Sequence, residues 1–170
     1  MQEQATAEQR ISEMENHSAG GKFLSFFLGS EEYAIGILKV KEIIGLIPIT
    51  PVPKMPSYIR GVLNLRGKIV PVMDLRLRFG LPSAEDTHET CVIVVQEGKT
   101  QMGVLVDKVS EVADIGQEQI EDVPSLGGEK SNEYLKGIGK VKDTVKMIVD
   151  IEKVVFDVPQ KVTDSHVRTN

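Results

Sequence analysis

Eight short runs of β-type residues, each cut off by glycine, proline or an acidic turn cluster, set the limits on how this chain can fold. They are FLSFFL (23–28), YAIGI (33–37), GVLN (61–64), KIVPVM (68–73), CVIVVQ (91–96), QMGVLV (101–106), KGIGKV (136–141) and TVKMIVD (144–150). Runs this short at this spacing predict an all-β barrel or sandwich, not a parallel sheet with helical crossovers. Two short glycine-bearing loops, GSEE after Leu28 and EGKT after Gln96, predict hairpins. The 170 residues suffice for one large domain or two small ones, and 41% are hydrophobic. With no Trp and only 5% aromatics, the core has to be mainly aliphatic.

The stretch GVLNLRGKIVPVMDL (61–75) has the strongest local pattern. Its odd positions carry no charge, and its even positions carry Asn64, Arg66, Lys68 and Asp74 among valines. Asn64-Leu65-Arg66-Gly67 puts Asn first and Gly last, as a type I turn favours. A left-handed Gly67 would then complete a three-residue hairpin loop. In that register Leu63 opposes Ile69, Gly61 opposes Pro71 and Asn64 opposes Lys68, with Arg66 at the tip pointing away from the sheet. Asp74 reads as the N-cap of a short helix ended by Gly80.

The second half echoes the first. KVKEI (39–43) resembles KVSEV (108–112), and 61–75 can be laid without a gap on GIGKVKDTVKMIVDI (137–151). Gly61 then meets Gly137, Val72 meets Ile148, Asp74 meets Asp150 and Leu75 meets Ile151. Two similar β units follow, each near the lower size limit for independent stability, so they are expected to share an apolar interface. The polar stretch LPSAEDTHET (81–90) is the expected link.

Groups that do chemistry are sparse. His17, His88 and His166 lie in polar segments and none has a second ligand at metal spacing. No Walker loop, GxSxG or dinucleotide fingerprint is present. Cys91, alone in CVIVV, reads as a buried, inert thiol. The pairs Glu31-Glu32, Glu85-Asp86 and Glu121-Asp122 read as solvated turn residues. A net charge of −5 argues against a general nucleic-acid binder. The polar first twenty residues are no signal peptide, and no apolar run is long enough to span a membrane, so a soluble cytoplasmic protein is the default expectation. Neither an enzyme nor a cofactor is expected.

Two stretches read as surfaces. Glu42 sits among apolar residues in ILKVKEIIG, where both a short helix and a strand fit; it is either a rim carboxylate or a charge beside an apolar interface patch. GLIPITPVPKMPSYIRG (45–61) has four prolines, which predict a stiff extended connector: a plain crossing or an apolar ledge for a partner.

Taken together and in order, FFLGSEEYAIGILKVKEIIG, PVPKMPSYIRGVLNLRGKIVPVMDLRLRFG, GVLVDKVSEV and NEYLKGIG resemble the CheW family of bacterial chemotaxis coupling proteins, over roughly residues 22–155. The resemblance implies two SH3-like five-stranded β-barrel subdomains on a shared apolar interface, with a few short helices. One is expected over about 30–80, the other over about 22–29 plus 88–155, between flexible segments 1–21 and 156–170. It implies no catalysis and no cofactor. The implied role is an adaptor linking the cytoplasmic tip of chemoreceptors to the regulatory domain of the histidine kinase CheA, as a monomer recruited to membrane-associated arrays. The implied partner-binding residues are Val40, Glu42, Gly61, Asn64, Arg66 and Gly67, with Val109 and Glu111 as weaker candidates. A coupling protein of a non-motility pathway and a small β-barrel ligand binder are the alternatives.

Overall fold

The computed structural model describes residues 20–123 and 133–156. The expectations for the outer parts of the two terminal segments, His17 and His166 included, lie outside the described residues. Among the described residues eleven strands form: β1 (Gly21–Leu28), β2 (Glu31–Gly36), β3 (Val40–Gly45), β4 (Ile59–Leu65), β5 (Lys68–Asp74), β6 (Cys91–Glu97), β7 (Thr100–Val106), β8 (Lys108–Ile115), β9 (Ile120–Glu121), β10 (Leu135–Val141) and β11 (Thr144–Val149). All eight sequence runs are strands. β3 resolves the ambiguity around Glu42, while β8 and the two-residue β9 had no run to announce them.

The strands make two SH3-like β subdomains. One sheet runs β3-β6-β7-β5-β4, and the other runs β8-β1-β2-β11-β10-β9. They are called here the first and second barrel. In the first, the connector closes the gap beyond β4: Thr50 and Val62 exchange backbone bonds of 2.8 and 2.9 Å. Leu63, Leu65, Val70, Val72, Val92, Val94 and Leu105 fill the first interior. Phe23, Ala34, Ala113, Ile115 and Ile148 fill the second. The largest cluster lies between the sheets and includes Leu24, Phe26, Ile35, Met73, Ile93, Val104 and Val149. Each such side chain stabilises the fold by about 1.5–3 kcal/mol on burial, so the interface is as much a core as either interior.

The repeat is present at the level of register. β5 pairs in parallel with β7 through Val72 and Gly103, and β11 pairs in parallel with β2 through Ile148 and Ala34. Gly61 faces Val72 and Gly137 faces Ile148, each just past a bulge. The Asp74 amide donates to Tyr58 O, and the Asp150 amide to Tyr134 O, both at 2.7 Å. Arg78 lies over both tyrosine rings, 4.7 and 5.0 Å from their centroids, and so ties the two copies together.

The expected division into 30–80 and 22–29 plus 88–155 requires correction. β2 lies in the second barrel with β1, and β6 and β7 lie in the first. Hairpins β1–β2 and β6–β7 each stay intact and insert into the sheet completed by the other copy. The one-turn helix Ile37–Lys39 redirects the chain between β2 and β3.

Candidate functional site: the hairpin tip and the β3 edge

The β4–β5 turn is tighter than the sequence predicts. Leu65 pairs with Lys68, Asn64 with Ile69, Leu63 with Val70 and Gly61 with Val72. The expected three-residue loop and its register are therefore off by one. The loop is Arg66-Gly67 alone, with φ of 52° and 85°. Positive φ at both central residues is the type I′ requirement, and that turn matches the twist of the flanking strands. Gly67 takes its position without strain, and the Asn64 carboxamide oxygen accepts from the Gly67 amide at 2.7 Å. The three-residue loop needs a left-handed conformation at Gly67 alone; Arg66 adopts one as well despite its Cβ, and the turn shortens by one residue.

Arg66 is at the tip, as expected, but it does not simply point away. Its guanidinium donates to the Glu42 carboxylate of β3, the opposite edge strand of the same sheet. The arginine side chain is 67% exposed and the glutamate 25%. Such a pair contributes at most about 1 kcal/mol to stability, so it orients two charges more than it holds the barrel. Beside it in sequence or in register lie Ile43 and Ile69, 43% and 56% exposed. Glu42 pairs with Val94 of the first interior and Ile43 with Ile93 of the central cluster, so the two side chains leave β3 on opposite faces, and the ion pair at the tip is a polar feature of its own.

The other implied residues sit differently. Val40 and Val109 are half-buried and pack on the central cluster, at equivalent places in the two copies. Asn64 fixes the turn. Gly61 is buried with φ of +143°, and a Cβ there would lie 2.1 Å from Thr50 O. It admits the connector that closes the barrel. Glu111 lies on β8 in the second barrel, apart from the Arg66 cluster.

Asp74 caps the helix Leu75–Arg78 by accepting from the Arg76 amide at 3.0 Å. Arg76 in turn clamps Asp107 by two bonds from Nε, at 2.9 and 3.1 Å, and one from a terminal nitrogen; Asp107 also accepts from the Gly29 amide at 2.6 Å. Burial raises the Asp107 pKa, but the Arg76 and Gly29 bonds and the Arg76 charge outweigh it and hold the carboxyl below its usual range. Glu32 is no solvated turn residue. It lies in β2, 11% exposed, and binds the ammonium of Lys146, whose side chain is 2% exposed. This correction follows from the fold, which brings β2 beside β11. Among the described residues no group of three or more His, Cys, Asp or Glu could hold a metal, and no helix is long and apolar enough to cross a membrane.

The family model of the CheW-like domain matches residues 22–158. The chain belongs to the CheW family. The chemotaxis protein CheW of Klebsiella aerogenes is 39% identical over 155 residues, covering 91% of this chain and 93% of that protein. CheW of Helicobacter pylori is 36% identical over 143 residues, covering 84% and 86%. Among solved structures, the scaffolding protein TtCheW from Thermoanaerobacter tengcongensis superposes with a TM-score of 0.74 at 33% identity, covering 82% of this chain and 94% of that one. The CheW resemblance of the four sequence blocks and the two-subdomain fold therefore agree.

Proposed function

We propose that this CheW-family chain is a non-catalytic chemotaxis adaptor that couples the cytoplasmic signalling tip of chemoreceptors to the regulatory domain of the histidine kinase CheA. It is recruited to membrane-associated receptor arrays through these partners. Its Arg66–Glu42 tip is a partner-binding surface. Support for the role comes from the family match and from relatives named as chemotaxis and scaffolding proteins. Support for the surface comes from one observation: an exposed guanidinium at a hairpin tip, held by the carboxylate of Glu42 on the opposite edge strand. The fork of Arg66 offers further donors to a partner carboxylate or carbonyl. Asn64 and Gly67 act through the turn that presents Arg66, and Gly61 through barrel closure.

The test is co-purification of the full chain with kinase and receptor fragments. Wild type is expected to retain both. Arg66→Ala is expected to keep its far-UV circular dichroism and lose at least one partner. Retention of both partners by the variant at wild-type affinity removes Arg66 from the surface.

A further inference from the structure

The two barrels differ within the stretch where their sequences overlay without a gap. Lys146 in β11 occupies the position of Val70 in β5, because Ile148 answers to Val72. By the same registers Glu32 answers to Gln101, and Ser25 to Val94. The first barrel thus has Val70, Gln101 and Val94 where the second has a lysine, a glutamate and a serine. Two of them, the lysine and the serine, contact Glu111, which answers to Glu42, and the glutamate holds the lysine from the other side. Lys146 Nζ is 3.3 Å from Glu111 Oε2. The fully buried Ser25 hydroxyl donates to Glu111 O at 3.1 Å and accepts from the Glu111 amide at 3.3 Å, within the β1–β8 bulge. Glu111 is 56% exposed, whereas Lys146 is sealed inside and already faces Glu32.

A buried ammonium without a counter-ion is costly. Glu32 supplies that counter-ion. Burial opposes its ionisation, but the bond and the charge of Lys146 prevail, with help from Ser110, so its carboxyl titrates below the usual range. Lys146 is thereby neutralised, and the second carboxylate it touches keeps its charge available at the surface. The first barrel handles its equivalent edge in the opposite sense, with Glu42 half-buried and the cation, Arg66, outermost.

We propose that buried Lys146, neutralised by Glu32 and assisted by Ser25, is a positioning residue that fixes Glu111 as an outward carboxylate for a cationic side chain of a partner. This rests on the adaptor reading and adds to it an anionic contact on the second barrel, set from inside the fold.

The test uses the full chain with the same purified kinase and receptor fragments. Glu32→Gln keeps the volume but leaves Glu111 as the sole counter-ion of Lys146. It is expected to weaken binding of one fragment by about fivefold, to the level of Glu111→Gln, and to flatten the salt dependence equally. The Glu32→Gln/Glu111→Gln double variant is expected to lose no more than either single one. Lys146→Val with Glu32→Gln installs the Val70 and Gln101 that the first barrel has at these two places, so no buried charge is left unpaired, and it is expected to show the same loss. Unchanged binding by Glu32→Gln, or losses that add to that of Glu111→Gln, overturns the proposal. Arg66→Ala runs in parallel. If it weakens binding and Glu32→Gln does not, the Lys146 inference alone falls; if neither weakens binding, the adaptor surface falls with it.

Discussion

Replacing Gly61 by alanine separates a structural glycine from a contact glycine. The added Cβ would stand 2.1 Å from Thr50 O, 2.7 Å from Thr50 C and 2.9 Å from Pro51 Cα. All three are backbone atoms, so no side-chain rotation relieves the overlap. The connector has to withdraw, which breaks the reciprocal Thr50–Val62 bonds. Two such bonds are worth about 1–3 kcal/mol together. A non-glycine residue held near the φ of Gly61 costs about 1–3 kcal/mol more. The sum, about 2–6 kcal/mol, is a large share of the 5–15 kcal/mol typical of a whole domain. In urea, with a slope of about 2 kcal/mol per molar, the unfolding midpoint should fall by about 1–3 M. Gly67→Ala is the control: its φ is +85° but its surroundings are open, so it should cost only about 1 kcal/mol. A Gly61→Ala variant that unfolds at the wild-type midpoint yet loses its partners would refute barrel closure and make Gly61 a contact residue.

Acid should weaken the fold through Asp107 and Glu32. Both have folded pKa values below the ordinary carboxylate value. The unfolded chain therefore binds more protons, and the stability they contribute is full above the unfolded values near 4 and is lost as pH falls through the folded ones. Urea midpoints taken from pH 7 to 3 should drop in that lower window, and Asp107→Asn should show a shallower drop. Cys91 should alkylate slowly. Burial raises its pKa, only partly offset by a backbone bond involving Val109, so iodoacetamide at pH 8 should modify it more slowly than a free thiol, and urea should remove the difference.

The sequence shows this fold where local chemistry decides it. The eight runs, the Asp74 cap and the position of Arg66 at a hairpin tip all rest on neighbours a few residues apart. β3 is harder to read because a bulge between Val40 and Glu42 breaks its alternation, and β8 carries the corresponding irregularity against β1. The hairpin register failed because Arg66, a residue with a Cβ, takes a positive φ that turn chemistry assigns to Gly67 alone. The exchange of hairpins between copies depends on the parallel pairs β5–β7 and β11–β2, which leave no trace in periodicity. The Arg66–Glu42 pair joins two residues picked out separately, and only barrel curvature brings opposite edges together. Lys146 was in principle visible, since the gap-free overlay of 137–151 on 61–75 sets a lysine against the valine of an apolar strand.

Receptor control of kinase activity, measured in arrays reconstituted from receptor, kinase and this chain, tests the central claim most directly. Wild type should render the kinase responsive to receptor ligand. Arg66→Ala, folded and present at equal concentration, should leave the kinase unresponsive. A response of wild-type size with Arg66→Ala would contradict the assignment of the hairpin tip as the coupling surface.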